Sequence, residues 1–319
     1  MEPLPDLNTV RHAEARIRDR VLETPLIPSP DLEREVGQPL WLKLESVQRT
    51  GSFKARGALN WMLTASDEEL ENGLVTVSAG NHALALAWAA SERSVPVTVV
   101  MPEGSSPLKV EGARALGADV IVQGAIHEAV AHCFHLRDER GLTLVHPYND
   151  PRIMAGQGTV GVELHRQQPM IRRVLCPIGG GGLISGLGLV LKALNPDLEL
   201  IGVEPVGAAT MWNAWQHNDP KASLDKVDTW AASLAPAVVG DNTYRASRQT
   251  VDRIVTIDEE SIRKAMYLLL TRGHLYAEPG ASVGLAALLS GAVAVDPETP
   301  TALIISGGNL DPDQVSRCC

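Results

Sequence analysis

Along most of this chain, short and nearly unbroken apolar runs alternate with stretches of helical spacing. No other feature constrains the fold as much, because strands that are apolar on both faces need cover on both faces. The arrangement that supplies it is an α/β fold, a mostly parallel twisted sheet flanked by helices. Strands are predicted at 39–44, 74–77, 97–101, 119–122, 143–145, 174–177, 198–203, 253–255 and 301–305. Helices are predicted at 81–91, 109–116, 128–140, 183–194 and 259–272. Residues 77–117 step through strand, helix, strand and helix at short intervals, as a compact βαβ lobe would. Residues 216–244 are the least regular and are expected to form loops and short helices. There is no fixed-period repeat, low-complexity tract or Pro-rich linker.

At 319 residues the chain has room for two lobes. Its 45% hydrophobic and 21% charged residues exclude a disordered chain or a coiled coil. With 28 Lys+Arg against 38 Asp+Glu, a net charge of −10 and no basic block, nucleic acid is not an expected partner. No apolar run reaches the ~18 residues of a membrane span, so no membrane partner is expected either. The opening MEPLPDLNTV offers acids and prolines where a secretory signal has a basic stretch and an apolar core, and the expected location is cytoplasmic. Cys133, Cys176, Cys318 and Cys319 have neither metal-ligand spacing nor a disulfide framework and are read as reduced thiols.

Two glycine-bearing turns stand between strands and helices, Ser78-Ala79-Gly80-Asn81 and Gly179-Gly180-Gly181-Gly182. Loops at the carboxyl ends of strands line the ligand crevice of an open α/β sheet, so both should face one cleft. Four glycines after an apolar run and before a helix let backbone N–H groups approach an anion, and the helix N-terminus adds about half a positive charge. Two other readings fit the same residues. One is a tight packing turn. The other is a dinucleotide site, with Gly180 and Gly182 at the right spacing, Glu204 ending a later strand, and Ser185 where the third glycine would stand. Earlier in the chain, Lys54 follows Ser52 and Phe53 near the start of a helix. There the macrodipole and partial burial would both lower its pKa and favour the neutral amine that a Schiff base requires. A solvated surface lysine is the plain alternative.

Ser52-Phe53-Lys54-Ala55-Arg56-Gly57, Ser78-Ala79-Gly80-Asn81-His82, Gly179 to Gly182, Glu278-Pro279-Gly280-Ala281 and Ser306-Gly307-Gly308-Asn309 follow one another in a fixed order. In that order they resemble the threonine/serine dehydratase and serine racemase family, fold-type II enzymes that use pyridoxal 5′-phosphate. The resemblance runs from about 16 to 309. It implies two lobes, each with a mostly parallel sheet, and the cofactor in the cleft between them. The large domain would be 1–66 with 148–319, and the small mobile domain 73–147. It further implies that Lys54 carries the cofactor and shuttles the α-proton, that Gly179, Gly180, Gly181 and Gly182 hold its phosphate, and that Phe53 packs on its ring. Asn81 would donate to the phenolic oxygen and Ser306 would meet the pyridine nitrogen. Ser78, Ala79, Gly80, Asn81 and His82 would form the turn that grips the substrate carboxylate, with Glu278 as an active-site neighbour. Taken as plain sequence, Phe53 could be core, Asn81 an N-cap, Ser306 a turn residue, and Glu278 the cap of the next helix. The implied reaction is β-elimination on a 3-hydroxy amino acid, giving a 2-oxo acid and ammonia. The implied assembly is a homodimer.

Three positions depart from the resemblance. Racemising relatives place a serine where Ala79 stands, and a methyl cannot transfer a proton, so racemisation is disfavoured. Relatives that bind a divalent cation supply two acids and a carbonyl; Glu204 and Ala208 match, but Thr210 replaces the second acid, so no metal is expected. Ala231-Ala232-Ser233-Leu234-Ala235 falls where many dehydratases read Asp-Gly and an apolar pair. The substrate therefore stays open among threonine, serine, 3-hydroxyaspartate, phenylserine and an ectoine-derived hydroxy acid. The chain stops about ten residues after Asn309, so feedback control by a C-terminal regulatory domain is not expected. A dinucleotide-binding or ligand-sensing protein without lyase chemistry remains the rival of a different class, and it gives Lys54 no task.

Overall fold

The computed structural model describes residues 2–318, which leaves Cys319 outside. Ten strands form two sheets: β1 (Leu26–Pro28), β2 (Leu40–Leu44), β3 (Leu74–Val77), β4 (Val97–Met101), β5 (Asp119–Val122), β6 (Thr143–Leu144), β7 (Arg173–Pro177), β8 (Glu199–Pro205), β9 (Arg253–Ile257) and β10 (Thr301–Ile305). The larger sheet has the order β1-β2-β10-β7-β8-β9 and the smaller β5-β4-β3-β6. Every pairing is parallel except β1 with β2. β10 registers Thr301 to Ile305 against Leu40 to Leu44, and Thr301 to Leu303 against Arg173 to Leu175.

All nine predicted strands form, with ends displaced by a residue or two. β1 was not foreseen: three residues ending in a proline carry no period-two signal, and the segment is a strand only because β2 offers an edge to pair with. Residues 216–244 hold the end of one helix, a single 3₁₀ turn and the start of another, as expected.

The cover demanded by the apolar strands is present on both faces of the larger sheet. Leu175, Ile201, Val203, Leu303 and Ile305 pack under helices Glu259–Thr271 and Pro279–Leu289. Val174, Cys176, Leu200 and Ile304, pointing the other way, pack against Gly182–Leu194 and Pro151–Gln167. Helices Lys54–Thr64 and Asn81–Ser91 cover the smaller sheet through Leu59, Trp61, Met62, Leu86, Val99 and Met101. Buried Cys133 and Cys176 have thiols whose pKa rises with burial, Cys133 to about 11, so both stay protonated.

A buried charge cluster anchors the start of helix Lys54–Thr64. The Arg56 guanidinium donates to Glu45 Oε2 at 2.8 Å and to Glu163 Oε1 at 2.6 Å, and Lys43 Nζ donates to Glu163 Oε2 at 2.7 Å. Burial opposes the charge on Arg56, yet the two carboxylates outweigh it and push its pKa up. With every charge matched, the helix that carries Lys54 is tied at once to β2 and to Pro151–Gln167.

Candidate active site

Lys54 opens its helix immediately after a segment stitched to the end of β10. Phe53 N–H donates to Ser306 O at 3.1 Å, and Ser52 bridges Gly307. This places Ser306, itself buried, beside the lysine segment. Phe53 is partly buried, and the Lys54 ammonium stands 5.2 Å from its ring centroid. Lys54 Nζ donates to Pro147 O at 2.7 Å. Burial pushes its pKa down to about 8, against the opposing field of Glu278. This lysine is no solvated surface charge.

The residue that receives Lys54 leads directly to the glycines. Tyr148, next to Pro147, lays its ring where a Cβ on Gly180 would fall, and its hydroxyl donates to Val238 O at 2.9 Å. Gly181 has φ +89°, and a Cβ there would sit 2.6 Å from Met211 Cε and 2.9 Å from Thr243 Cβ. Thr243 Oγ1 also donates to Gly180 O at 2.8 Å, fixing the loop from behind. The amides of Gly179, Gly180 and Gly181 find no acceptor among the described residues, and Gly182 begins the helix. Unpaired N–H groups at a helix N-terminus, on a loop that tolerates no side chains, form a cradle for an anion.

The other glycine turn lies at the end of β3. Gly80 is the N-cap of Asn81–Ser91, and its N–H meets Ser78 Oγ at 3.3 Å. Ser78 and Gly80 are half-buried and Ala79 is exposed. Asn81 is buried; its Nδ2 donates to Glu278 Oε1 at 2.8 Å, and its Oδ1 accepts from Asn309 Nδ2 at 2.9 Å. His82 Nε2 lies 3.3 Å from Val145 O, while its Nδ1 has no partner. Burial, the nearby Lys54 charge and His146 push the His82 pKa down to about 3. Burial and Lys54 likewise push His146 down to about 4. Both imidazoles are therefore neutral near pH 7.

Glu278 occupies the N-cap position of Pro279–Leu289 but makes no capping bond. Its carboxylate turns instead toward Asn81 and the Ser233 hydroxyl, with burial pushing its pKa up and Lys109, Ser233, Asn81 and Lys54 opposing. Lys54, Asn81, His82, Glu278, Phe53 and Ser306 thus lie close together, and Tyr148 links the lysine segment to the glycine loop. Residues 146–149 and Thr243 were not anticipated as part of this site, whereas Ser233 belongs to the segment 231–235 already singled out for substrate choice. Pro147 contributes a backbone carbonyl and Tyr148 a packing surface, and neither leaves a mark in residue type; the only visible signal was the Asp150-Pro151 helix start that follows.

Glu204 lies elsewhere. Its carboxylate accepts from Met211 N–H and Trp212 N–H, each at 2.8 Å, at the start of helix Thr210–His217. Burial pushes its pKa up to about 8 against those N–H groups. Thr210 Oγ1 donates to Pro236 O at 2.7 Å. This acid serves a helix terminus, and the dinucleotide reading loses its ribose partner.

A half-buried amine of lowered pKa, joined through Pro147 and the neighbouring Tyr148 to a glycine anion cradle, suits a cofactor that joins an aldehyde to a phosphate. The chain belongs to the pyridoxal-phosphate dependent enzymes, whose family model matches residues 17–307. It is 40% identical over 311 residues to the L-threonine ammonia-lyase of Geobacter sulfurreducens, covering 96% of this chain and 76% of that protein. It is 36% identical over 313 residues to the serine racemase of Oryza sativa subsp. indica, covering 96% and 91%. Among solved structures, maize serine racemase superposes with a TM-score of 0.93 at 34% identity, covering 99% of this chain and 97% of that one.

Proposed function

We propose that this chain is a pyridoxal-phosphate-dependent ammonia-lyase that removes the β-hydroxyl of a 3-hydroxy amino acid and yields a 2-oxo acid and ammonia. The observation that carries this reading over racemisation is the pairing of one half-buried amine of lowered pKa, Lys54, with a methyl at Ala79. Proton transfer is available from the lysine side, and position 79 has no group to supply it. The matched relatives are named both as threonine ammonia-lyases and as serine racemases.

In this reading Lys54 carries the cofactor, whose bound ring supplies the electron sink for the chemistry at Cα. Gly179, Gly180, Gly181 and Gly182 hold its phosphate through backbone N–H groups, and Phe53 packs on the ring. Asn81 donates at the phenolic oxygen. Ser306 meets the pyridine nitrogen as a neutral hydroxyl, which does not hold that nitrogen protonated. Ser78, Ala79, Gly80, Asn81 and His82 grip the substrate carboxylate, largely through N–H groups at the helix start. Once the substrate amine has displaced it from the cofactor, Lys54 Nζ takes the α-proton, the β C–O bond breaks as the hydroxyl takes a proton and leaves as water, and the enamine released from the protein is hydrolysed to the 2-oxo acid and ammonia. Neutral His82 and His146 keep competing positive charge away from the amine. Segment 73–147 moves as the small domain against 1–66 and 148–319, closing the cleft against water.

No helix among the described residues is long and apolar enough to cross a membrane. We place the enzyme in the cytoplasm as a homodimer, which sedimentation of the purified protein would test. The deciding assay measures 2-oxo acid and ammonia from a panel of 3-hydroxy amino acids of both configurations, with cofactor, and with or without a chelator. Turnover of one member, unaffected by chelator, is the expected result. Inversion at Cα without 2-oxo acid release would replace the lyase with a racemase.

A further inference from the structure

Asn81 sits in a chain of hydrogen bonds whose polarity is set far from it. The chain starts at Thr50 O, a backbone carbonyl that can only accept. Asn309 Nδ2 donates to it at 2.7 Å, which fixes the orientation of the Asn309 amide. The same Nδ2 donates to Asn81 Oδ1 at 2.9 Å, and Asn81 Nδ2 then donates to Glu278 Oε1 at 2.8 Å. Reversing the Asn81 amide would set its N–H groups against those of Asn309 and its oxygen against a carboxylate oxygen. Both contacts would be repulsive; the one with Glu278 is buried and the one with Asn309 partly so.

The backbone leaves this arrangement little slack. A Cβ on Gly307 would fall 2.7 Å from Glu278 Oε1 and 3.1 Å from Asn81 Nδ2, so the glycine admits the pair. Glu278 N–H donates to Gly307 O at 3.0 Å, and Gly308 N–H donates to Gly51 O at 2.9 Å. The segments bearing Thr50, Asn309 and Glu278 are therefore joined by main chain as well as by side chains. Ser233 adds its hydroxyl to the Glu278 carboxylate. One N–H of Asn81 Nδ2 is taken by Glu278, and the other has no acceptor among the described residues.

We infer that Asn309 and Glu278 are positioning residues that lock the Asn81 amide in one orientation, so that Asn81 offers the cleft a hydrogen-bond donor and never an acceptor. This rests on the lyase reading for what the donor meets, the bound cofactor, but the locking itself is a property of the protein alone.

The test uses the holoenzyme and two pairs of variants. Asn309→Asp puts a carboxylate against Thr50 O and Asn81 Oδ1 and should turn the Asn81 amide over, while Asn309→Ala only releases it. Glu278→Leu removes the acceptor, while Glu278→Gln can present its own amide oxygen and should rescue. The readouts are the visible absorbance of bound cofactor, the Kd of pyridoxal phosphate for the apoenzyme, and kcat against KM. We expect N309D and E278L to shift the absorbance maximum and to lower kcat by about tenfold or more with little change in KM. N309A should be intermediate; E278Q should keep the wild-type absorbance maximum and cofactor affinity, its kcat alone following the charge lost beside Lys54. Folded N309D and E278L proteins with wild-type absorbance and cofactor affinity would overturn the inference. So would an E278Q variant whose absorbance and cofactor affinity shift as far as those of E278L. If N309D does not fold, the Glu278 pair decides alone. Absorbance shifts in a wild type that turns over no hydroxy amino acid would sink the lyase reading and leave the locking in place.

Discussion

Replacing Gly181 by alanine tests the phosphate cradle with a magnitude that follows from geometry. At φ +89° a non-glycine residue costs about 1–2 kcal/mol in backbone strain. The new Cβ would stand 2.6 Å from Met211 Cε and 2.9 Å from Thr243 Cβ. Overpacking of this kind costs about 1–3 kcal/mol, toward the lower end here because the methionine terminus can move while Thr243 is held by Gly180 O. Together these come to about 3 kcal/mol, to be relieved by shifting the loop whose amides face the anion. If the shift is taken out of binding, the cofactor Kd rises about a hundredfold. The assay is titration of the apoenzyme with pyridoxal phosphate. Gly291→Ala provides the control: φ is +78° but nothing lies within 4 Å of the new Cβ, so it carries the strain without the collision and lies away from the cleft. Wild-type cofactor affinity in G181A, at a thermal stability reduced no more than in G291A, would refute the cradle.

Lys54→Ala should abolish turnover. In the wild type, the rate of cofactor capture by the apoenzyme should rise with pH and level off above about 8, as the half-buried ammonium loses its proton; a midpoint near the ordinary lysine value would show that burial does not act on this amine. Arg56→Met would leave the Glu45 and Glu163 carboxylates buried without their guanidinium and should cost about 3–5 kcal/mol, read as a lower urea midpoint; an unchanged midpoint would mean the cluster relaxes into solvent. Ala79→Ser should add slow inversion at Cα, detected by chiral analysis of recovered serine, and strict retention would show that this position does not decide between the two reactions.

The sheets were legible because strands apolar on both faces admit little else, as at 97–101 and 301–305, where predicted and observed ends coincide. The lysine and both glycine turns were legible as residue types with few alternative uses. Pro147 acts through a carbonyl that any residue would supply. Tyr148 acts through a ring whose position depends on a helix start further along. Glu278 read equally well as a helix cap, and only the path of its side chain toward Asn81 decided the matter. Contacts made by main chain, or between residues far apart in sequence, leave little local periodicity to read.

The last strand in chain order among the described residues, β10, lies inside the larger sheet with β2 on one side and β7 on the other. A nascent chain that has reached residue 300 therefore holds two unsatisfied strand edges, and Phe53 still lacks the carbonyl of Ser306 that fixes it. Residues beyond 300 must be made before the lysine segment can be set in place, so that segment is fixed late and through long-range pairing. Truncation before residue 301 would remove the centre of a sheet, and the fragment would expose apolar edges prone to association.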